Sequence, residues 1–187
     1  FSKNMKTIFP AIRLTLVLVV LLAVIYPLAV FGIAQLAPNH GKGETIERNG
    51  KTVGYRRIGQ EFNQANYFWG RPSAVAYNAA GSAGSNKGPS NAEYLALVQK
   101  RIDAFLIAHP DVKKSDVPSD MVTASGSGLD PDISVQGAKV QVGRVAKARN
   151  INPNTIQKLI DSQIQNNAFG PQTINVLELN IALDQRK

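Results

Sequence analysis

The sequence contains no cysteine. That excludes disulfides, thiolate metal sites and cysteine nucleophiles, and it leaves the redox compartment open. Histidine is nearly as scarce. His40 and His109 are the only two, too few to suggest a histidine-based zinc site. No G-x-x-x-x-G-K-[ST] loop is present to cradle phosphates, and no glycine-rich fingerprint follows a convincing strand. The glycines between 81 and 88 lack that spacing, and Lys87 is followed by glycine instead of serine or threonine. They read as an ordinary loop.

What is present begins with a hydrophobic run. Residues 14–36 carry no charged side chain and are nearly all Leu, Val, Ile and Ala. At about 1.5 Å per residue they span roughly 35 Å as a helix, enough to cross a bilayer core of about 30 Å with modest tilt. A cleaved signal peptide is the competing reading, with Gly32-Ile33-Ala34 as its cleavage site. Its apolar stretch normally stops at about 7–15 residues, well short of this one. A buried core helix would show a polar face, whereas only Thr15, Tyr26 and Gln35 interrupt the run. The run predicts one transmembrane helix, perturbed at Pro27. Lys3, Lys6 and Arg13 precede it, and Lys42, Arg48 and Lys51 follow. The positive-inside tally is level, so charge alone leaves the orientation open. Residues 1–4 precede Met5 and can be read as an expression remnant.

Outside the anchor and its tail, 18 basic residues face 13 acidic ones. The basic pairs Arg56-Arg57, Lys100-Arg101 and Lys113-Lys114 are far apart and lack interleaved aromatics. This is a solvated surface, and nucleic-acid binding is not expected.

The remainder reads as a small mixed domain. Asn49-Gly50 between two short polar-apolar runs predicts a β-hairpin over 44–56. Ser90 with Glu93 forms a capping box for a helix with Leu95, Val98, Ile102 and Phe105 inside, ended by His109-Pro110. Asp130-Pro131 and Asn152-Pro153 look like two further helix starts. The first would carry the stripe Val135, Ala138, Val142, Val145, Ala146, and the second Ile156, Leu159, Ile160, Ile164. After the Gly170-Pro171 turn, residues 173–177 read as a strand, and the last ten are ambiguous. No internal repeat is evident. The expected fold is α+β: one N-terminal transmembrane helix plus a small mixed soluble domain of about three amphipathic helices on a small sheet. The expected organisation is a short tail (1–13), the membrane helix (14–36), a linker (37–43) and the soluble domain (44–187).

Chemistry is thin. Ser125-Gly126-Ser127-Gly128 supplies half of a G-x-S-x-G elbow with no histidine beside it in sequence, so a membrane-tethered envelope serine hydrolase using Ser125 or Ser127 is a remote reading. Asp130 and Asp132, two apart, are better explained by helix capping than as paired catalytic carboxylates. No catalytic residue and no metal ligand is assigned. Small and hydroxylated residues in such loops suit docking, because backbone groups come close to a partner.

Several strings together resemble one family. They are 67–74 (Tyr-Phe-Trp-Gly-Arg-Pro-Ser-Ala), Tyr77-Asn78 with the loop 81–91, 122–134 (Val-Thr-Ala-Ser-Gly-Ser-Gly-Leu-Asp-Pro-Asp-Ile-Ser), Arg144 to Arg149, and 175–180 (Asn-Val-Leu-Glu-Leu-Asn). From anchor to C-terminus the chain resembles the C subunit of the Kdp-type potassium-transporting ATPase. The resemblance implies a non-catalytic assembly and regulatory subunit in a bacterial inner membrane, with the N-terminus cytoplasmic and the domain periplasmic. Its implied partners are a channel-like potassium-translocating subunit, a P-type ATPase subunit, a very small membrane peptide and the lipid bilayer. ATP and magnesium would act at the ATPase subunit. The family's C subunit is also described as a catalytic chaperone that raises ATP affinity; direct nucleotide contact would fall on the loop Gly81–Gly88 or on Ser125, Gly126, Ser127 and Gly128. Tyr67, Trp69, Arg71, Ser125, Ser127, Asp130 and Asn175 are the expected partner-contact or fold-defining positions.

Overall fold

The computed structural model describes residues 2–186, with side chains from Thr7 onward. Phe1, in the expected short tail, and Lys187, at the end of the expected soluble domain, lie outside the described residues, as do the side chains of Lys3 and Lys6. Two compact units divide the chain, Phe1–Glu44 and Thr45–Lys187.

The first unit is a helical rod. Helix α1 (Ser2–Val20) runs into a π-helical turn (Leu21–Ile25) and then α2 (Tyr26–Ala34). Residues Thr7–Ala34 are long and apolar enough to cross a membrane, and their apolar window buries nothing within the chain. Pro27 has no N–H and its ring crowds the carbonyl four residues back. The helix relieves this upstream, where the Tyr26 N–H donates to Leu21 across five residues instead of four. The perturbation expected at the proline is this wider turn.

The second unit opens with the predicted hairpin. Strands β1 (Thr45–Arg48) and β2 (Lys51–Tyr55) pair antiparallel, Arg48 against Lys51. Asn49 and Gly50 both take positive φ, 51° and 72°, as a type I′ turn requires. A long irregular stretch then leads to α3 (Ala92–Ala108). Its cap is Asn91, whose side chain accepts from the Tyr94 N–H at 2.9 Å, and not Ser90 as the capping box suggested. Only Phe105 of its stripe is fully buried, and Leu95 stays exposed.

The rest is built from two similar units. Strand β3 (Asp132–Ser134) feeds α4 (Val135–Lys139), and β4 (Thr173–Asn175) feeds α7 (Val176–Asp184). The strands pair antiparallel with Ile133 opposite Ile174, both buried. Each strand's last residue caps the next helix, Ser134 on the Gly137 N–H and Asn175 on the Glu178 N–H. The sequences Asp-Ile-Ser-Val and Thr-Ile-Asn-Val are too short to stand out as a repeat, yet they make the same strand-cap-helix device twice.

This corrects the reading of Asp130-Pro131. No helix starts there, because the Asp130 carboxylate accepts the Asp132 N–H at 3.1 Å in a turn that delivers the chain into β3. The helix expected over 135–146 is divided, with α5 (Val142–Arg149) following a tightened turn in which the Gln141 N–H donates to Ala138. Helix α6 (Pro153–Ser162) starts at Asn152 as expected and buries Ile156, Leu159 and Ile160. The predicted strand over 173–177 is shorter, and the ambiguous tail is helical as far as Asp184. The α+β class holds; among the described residues this unit has five α-helices and two separate two-stranded sheets. Its core joins Phe68, Ile133, Val145, Ile160, Ile174 and Leu179.

Candidate functional site

The strongest feature is how the aromatic string at 67–71 is held. It forms no strand, so its backbone groups need partners from elsewhere. Phe68 is wholly buried, and the Asn180 side chain of α7 grips it on both sides: Phe68 N–H donates to Asn180 Oδ1 at 2.8 Å, and Asn180 Nδ2 donates to the Phe68 carbonyl at 3.0 Å. Gln141, also wholly buried, does the same for Trp69. The Trp69 N–H donates to its Oε1 at 2.8 Å, and its Nε2 donates to the Trp69 carbonyl at 3.1 Å. Two side-chain amides thus act as a strand would.

Two arginines of α5 complete the grip. Arg144 donates from Nη1 to the carbonyls of Ala65 and Tyr67, from Nη2 to Gln141, and from Nε to His109 Nε2 at 2.8 Å. Its guanidinium lies 4.0 Å from the Trp69 ring centroid. These acceptors are neutral, and burial pulls the Arg144 pKa down to about 10. His109 donates from Nδ1 to the Phe105 carbonyl and accepts from Arg144, which makes it the neutral Nδ1–H tautomer. Burial, against the help of the Phe105 bond and with the Arg144 charge beside it, holds its pKa near 4. Arg149 donates to the Asn66 carbonyl at 2.6 Å and to Asp184 at 2.7 Å, over the Tyr67 ring. Asp184 also receives Arg48 of β1 and the Tyr67 hydroxyl. Burial alone would raise this carboxyl, but the arginine bonds outweigh it and hold its pKa below the usual carboxylate range.

The serine-glycine loop docks on the same string from the other end. Arg71 pairs with Asp130 at 2.9 Å, Ser73 Oγ donates to the Gly128 carbonyl at 2.7 Å, and Ser82 Oγ donates to the Ser127 carbonyl at 2.9 Å. Inside the loop, buried Ser125 accepts the Gly128 N–H at 2.9 Å and Ser127 accepts the Leu129 N–H at 3.1 Å. The two hydroxyl oxygens bind backbone amides, as turn-forming serines do. His109 sits in the Arg144 network, and His40 bonds the Gln35 carbonyl. Tyr77 donates to the Arg71 carbonyl, and burial, with Asp130 and Glu61 nearby, pushes its hydroxyl up to about 12.

Gly128 needs its missing side chain. Its φ is +66°, and a Cβ would stand 2.6 Å from Val75 Cγ2 and 2.8 Å from the Ala83 carbonyl oxygen. Gly128→Ala is expected to cost about 2–3 kcal/mol from left-handed strain and overlap, read as a lower midpoint in urea without a change of slope.

Asn175 joins this network through the β3–β4 pair, opposite Asp132, and its Nδ2 donates to the Arg56 carbonyl at 2.8 Å. Asp132 Oδ1 is buried without a hydrogen-bond partner. Burial first, then the charge of Asp130, raises the Asp132 pKa, although Asn175 opposes the shift. A carboxyl with a raised native pKa binds its proton better folded than unfolded, so its contribution to stability falls as pH rises from about 4 through that native value. Asp132→Asn is expected to raise the thermal midpoint at pH 7 by about 2 °C and to flatten its acid-side pH dependence, measured by calorimetry from pH 3 to 7.

Tyr67, Trp69, Arg71, Ser125, Ser127, Gly126, Gly128 and Asp130 are thus brought into one continuous region, with Asn175 at its edge. Of the residues that hold that region together, Arg144, Arg149 and Asn180 lie in the strings that carry the resemblance but were given no role from sequence, and Gln141 and Asp184 were not singled out at all. A signal existed: Asn180 occupies a core position in the series Val176, Leu179, Asn180, Leu183, and Gln141 one between Ala138 and Val145. A polar residue at a buried helical position needs a partner. Among the described residues no group of three His, Asp or Glu side chains is placed to hold a metal ion.

A helix able to span a membrane, joined to an α+β unit whose most elaborate polar network is spent on its own backbone, defines a membrane-anchored module. Comparison with known proteins gives its lineage. The chain belongs to the KdpC family, described as K+-transporting ATPase, c chain, which matches residues 8–185. It is 66% identical over 183 residues to a potassium-transporting ATPase KdpC subunit of Flavobacterium johnsoniae, covering 98% of this chain and 100% of that one. Its identity to the KdpC subunit of Flavobacterium psychrophilum is 63% over 184 residues, with the same coverage. To that of Bacteroides fragilis it is 50% over 189 residues, covering 98% of this chain and 99% of the relative.

Proposed function

We propose that this chain is a non-catalytic assembly and regulatory subunit of an ATP-driven potassium uptake complex. The observation that carries the reading is the 66% identity to a potassium-transporting ATPase KdpC subunit, covering 98% of this chain and 100% of that one. ATP and magnesium act at a P-type ATPase partner, potassium passes through a channel-like partner, and a small membrane peptide completes the assembly. The anchor sits in the bacterial inner membrane with the N-terminus in the cytoplasm and the α+β unit in the periplasm. From there any effect on ATP affinity is a coupling free energy between separated sites, carried by conformation. In the serine-glycine loop the two hydroxyl oxygens accept the Gly128 and Leu129 N–H groups, a turn-forming role that accounts for them without a nucleotide.

The absence of native cysteine makes the topology simple to test. Lys113 is exposed, and Lys113→Cys in the full chain is expected to react with a membrane-impermeant maleimide in intact spheroplasts. Labelling only after lysis would put the unit in the cytosol and reopen direct nucleotide contact.

A further inference from the structure

Phe169 is fully exposed, yet the loop that carries it is braced. Gln165 and Thr173 exchange backbone hydrogen bonds at 2.8 and 3.2 Å. Gln172 Nε2 donates to Asn166 Oδ1 at 2.7 Å, and Asn167 Nδ2 donates to the Pro171 carbonyl at 2.8 Å. The phenyl ring therefore stands at the tip of a turn whose own polar side chains fix its shape. None of the described residues covers the ring, and water opposes displaying it. An aromatic presented on a preorganised loop costs little ordering entropy when it docks, and such anchors dominate interface energies.

The charge pattern limits what it can dock into. Residues 162–177 contain no charged side chain, in a chain of net charge +8. Surface anchors for anionic lipid combine aromatics with lysine or arginine, and this loop has neither cation. Its rim is Asn166, Asn167 and Gln172, amides suited to the peptide groups and neutral side chains of a protein surface. We infer that Phe169 is a docking anchor that enters an uncharged apolar socket on another protein subunit of the complex proposed above, on whose existence the inference rests.

The test uses the full chain assembled with its partners in cells, with Phe169 replaced by the photoreactive p-benzoylphenylalanine. Irradiation is expected to join this chain to another subunit of the potassium-transporting complex. Adducts only with phospholipid, only between copies of this chain, or none at all would overturn the inference. Phe169→Ala gives the second readout: a melting temperature within about 1 °C of the parent, because no intramolecular contact is lost, and dissociation from the solubilised complex about 10- to 100-fold faster. Unchanged dissociation would overturn it equally. Should the parent chain fail to co-purify with potassium-pump subunits, the functional reading falls and the anchor with it; a parent that co-purifies without a position-169 adduct removes the anchor alone.

Discussion

Replacing Asn180 with leucine is expected to destabilise the α+β unit by about 4 kcal/mol, although the shape is nearly kept and the new side chain is apolar. The reason is what the amide leaves behind. Phe68 is wholly buried, and its N–H and C=O have Asn180 as their partner at 2.8 and 3.0 Å. Each buried polar group left without a hydrogen bond costs about 1–3 kcal/mol. For a chain of this size the thermal midpoint should fall by roughly 10 °C. Asn180→Asp separates the two bonds. At pH 7 its carboxylate can still accept from the Phe68 N–H, but it faces the Phe68 carbonyl with a charge and no donor. Asn180→Asp should therefore be at least as damaging as leucine at neutral pH and recover in part as the carboxyl protonates. Equal stability of parent and leucine variant in a urea titration would show that the clamp is incidental.

Arg144→Met is the second large expected loss, about 3–5 kcal/mol. It strands the part-buried Tyr67 carbonyl, leaves His109 Nε2 and Gln141 short of a donor, and removes the cation from the Trp69 face. Arg144→Lys should rescue little, since one ammonium cannot reach acceptors spread around a planar fork. Trp69 is the chain's single tryptophan, so its fluorescence reports the loss directly. The same cluster sets an acid limit. With the native His109 pKa near 4 and an unfolded value near 6.5, the unfolded chain binds the extra proton first. Stability from this group is complete above about pH 6.5 and is lost as pH falls towards 4. A protonated His109 would also face the Arg144 guanidinium. His109→Gln should remove that slope, checked by urea midpoints from pH 4 to 7.

What was legible in the sequence was local. Asn49-Gly50 sets its own turn because both residues tolerate positive φ. Asn152-Pro153 starts α6 because cap and proline act within one turn, and the stripe Ile156, Leu159, Ile160 is buried as read, while Ile164 falls past the helix end and is only partly buried. The membrane run is similarly self-contained. Asp130-Pro131 misled because its signal is identical to a helix start, while the carboxylate is claimed by Arg71, 59 positions away. Strands β3 and β4 were partly hidden because three residues carry little periodicity and their partners lie some forty positions apart. Asn180 and Gln141 could be marked as polar residues at buried helical positions, but not their partners, which lie 112 and 72 positions distant. The strings that mark the family, Tyr67 to Arg71 and Ser125 to Asp130, turn out to be packed on one another, so their specificity reflects a mutual fit that no single string expresses.

That mutual fit gives the proposed role its physical form. A unit that spends its arginines and amides on its own loops is internally braced, which suits the proposed role of bracing a complex. The decisive measurement is potassium-stimulated ATP hydrolysis by the purified transport complex, prepared with this chain and with residues 1–44 deleted from it. The account predicts that the truncated chain fails to remain in the complex and that the stimulated activity is lost with it. A complex that retains full potassium-stimulated activity while lacking this chain would contradict the account.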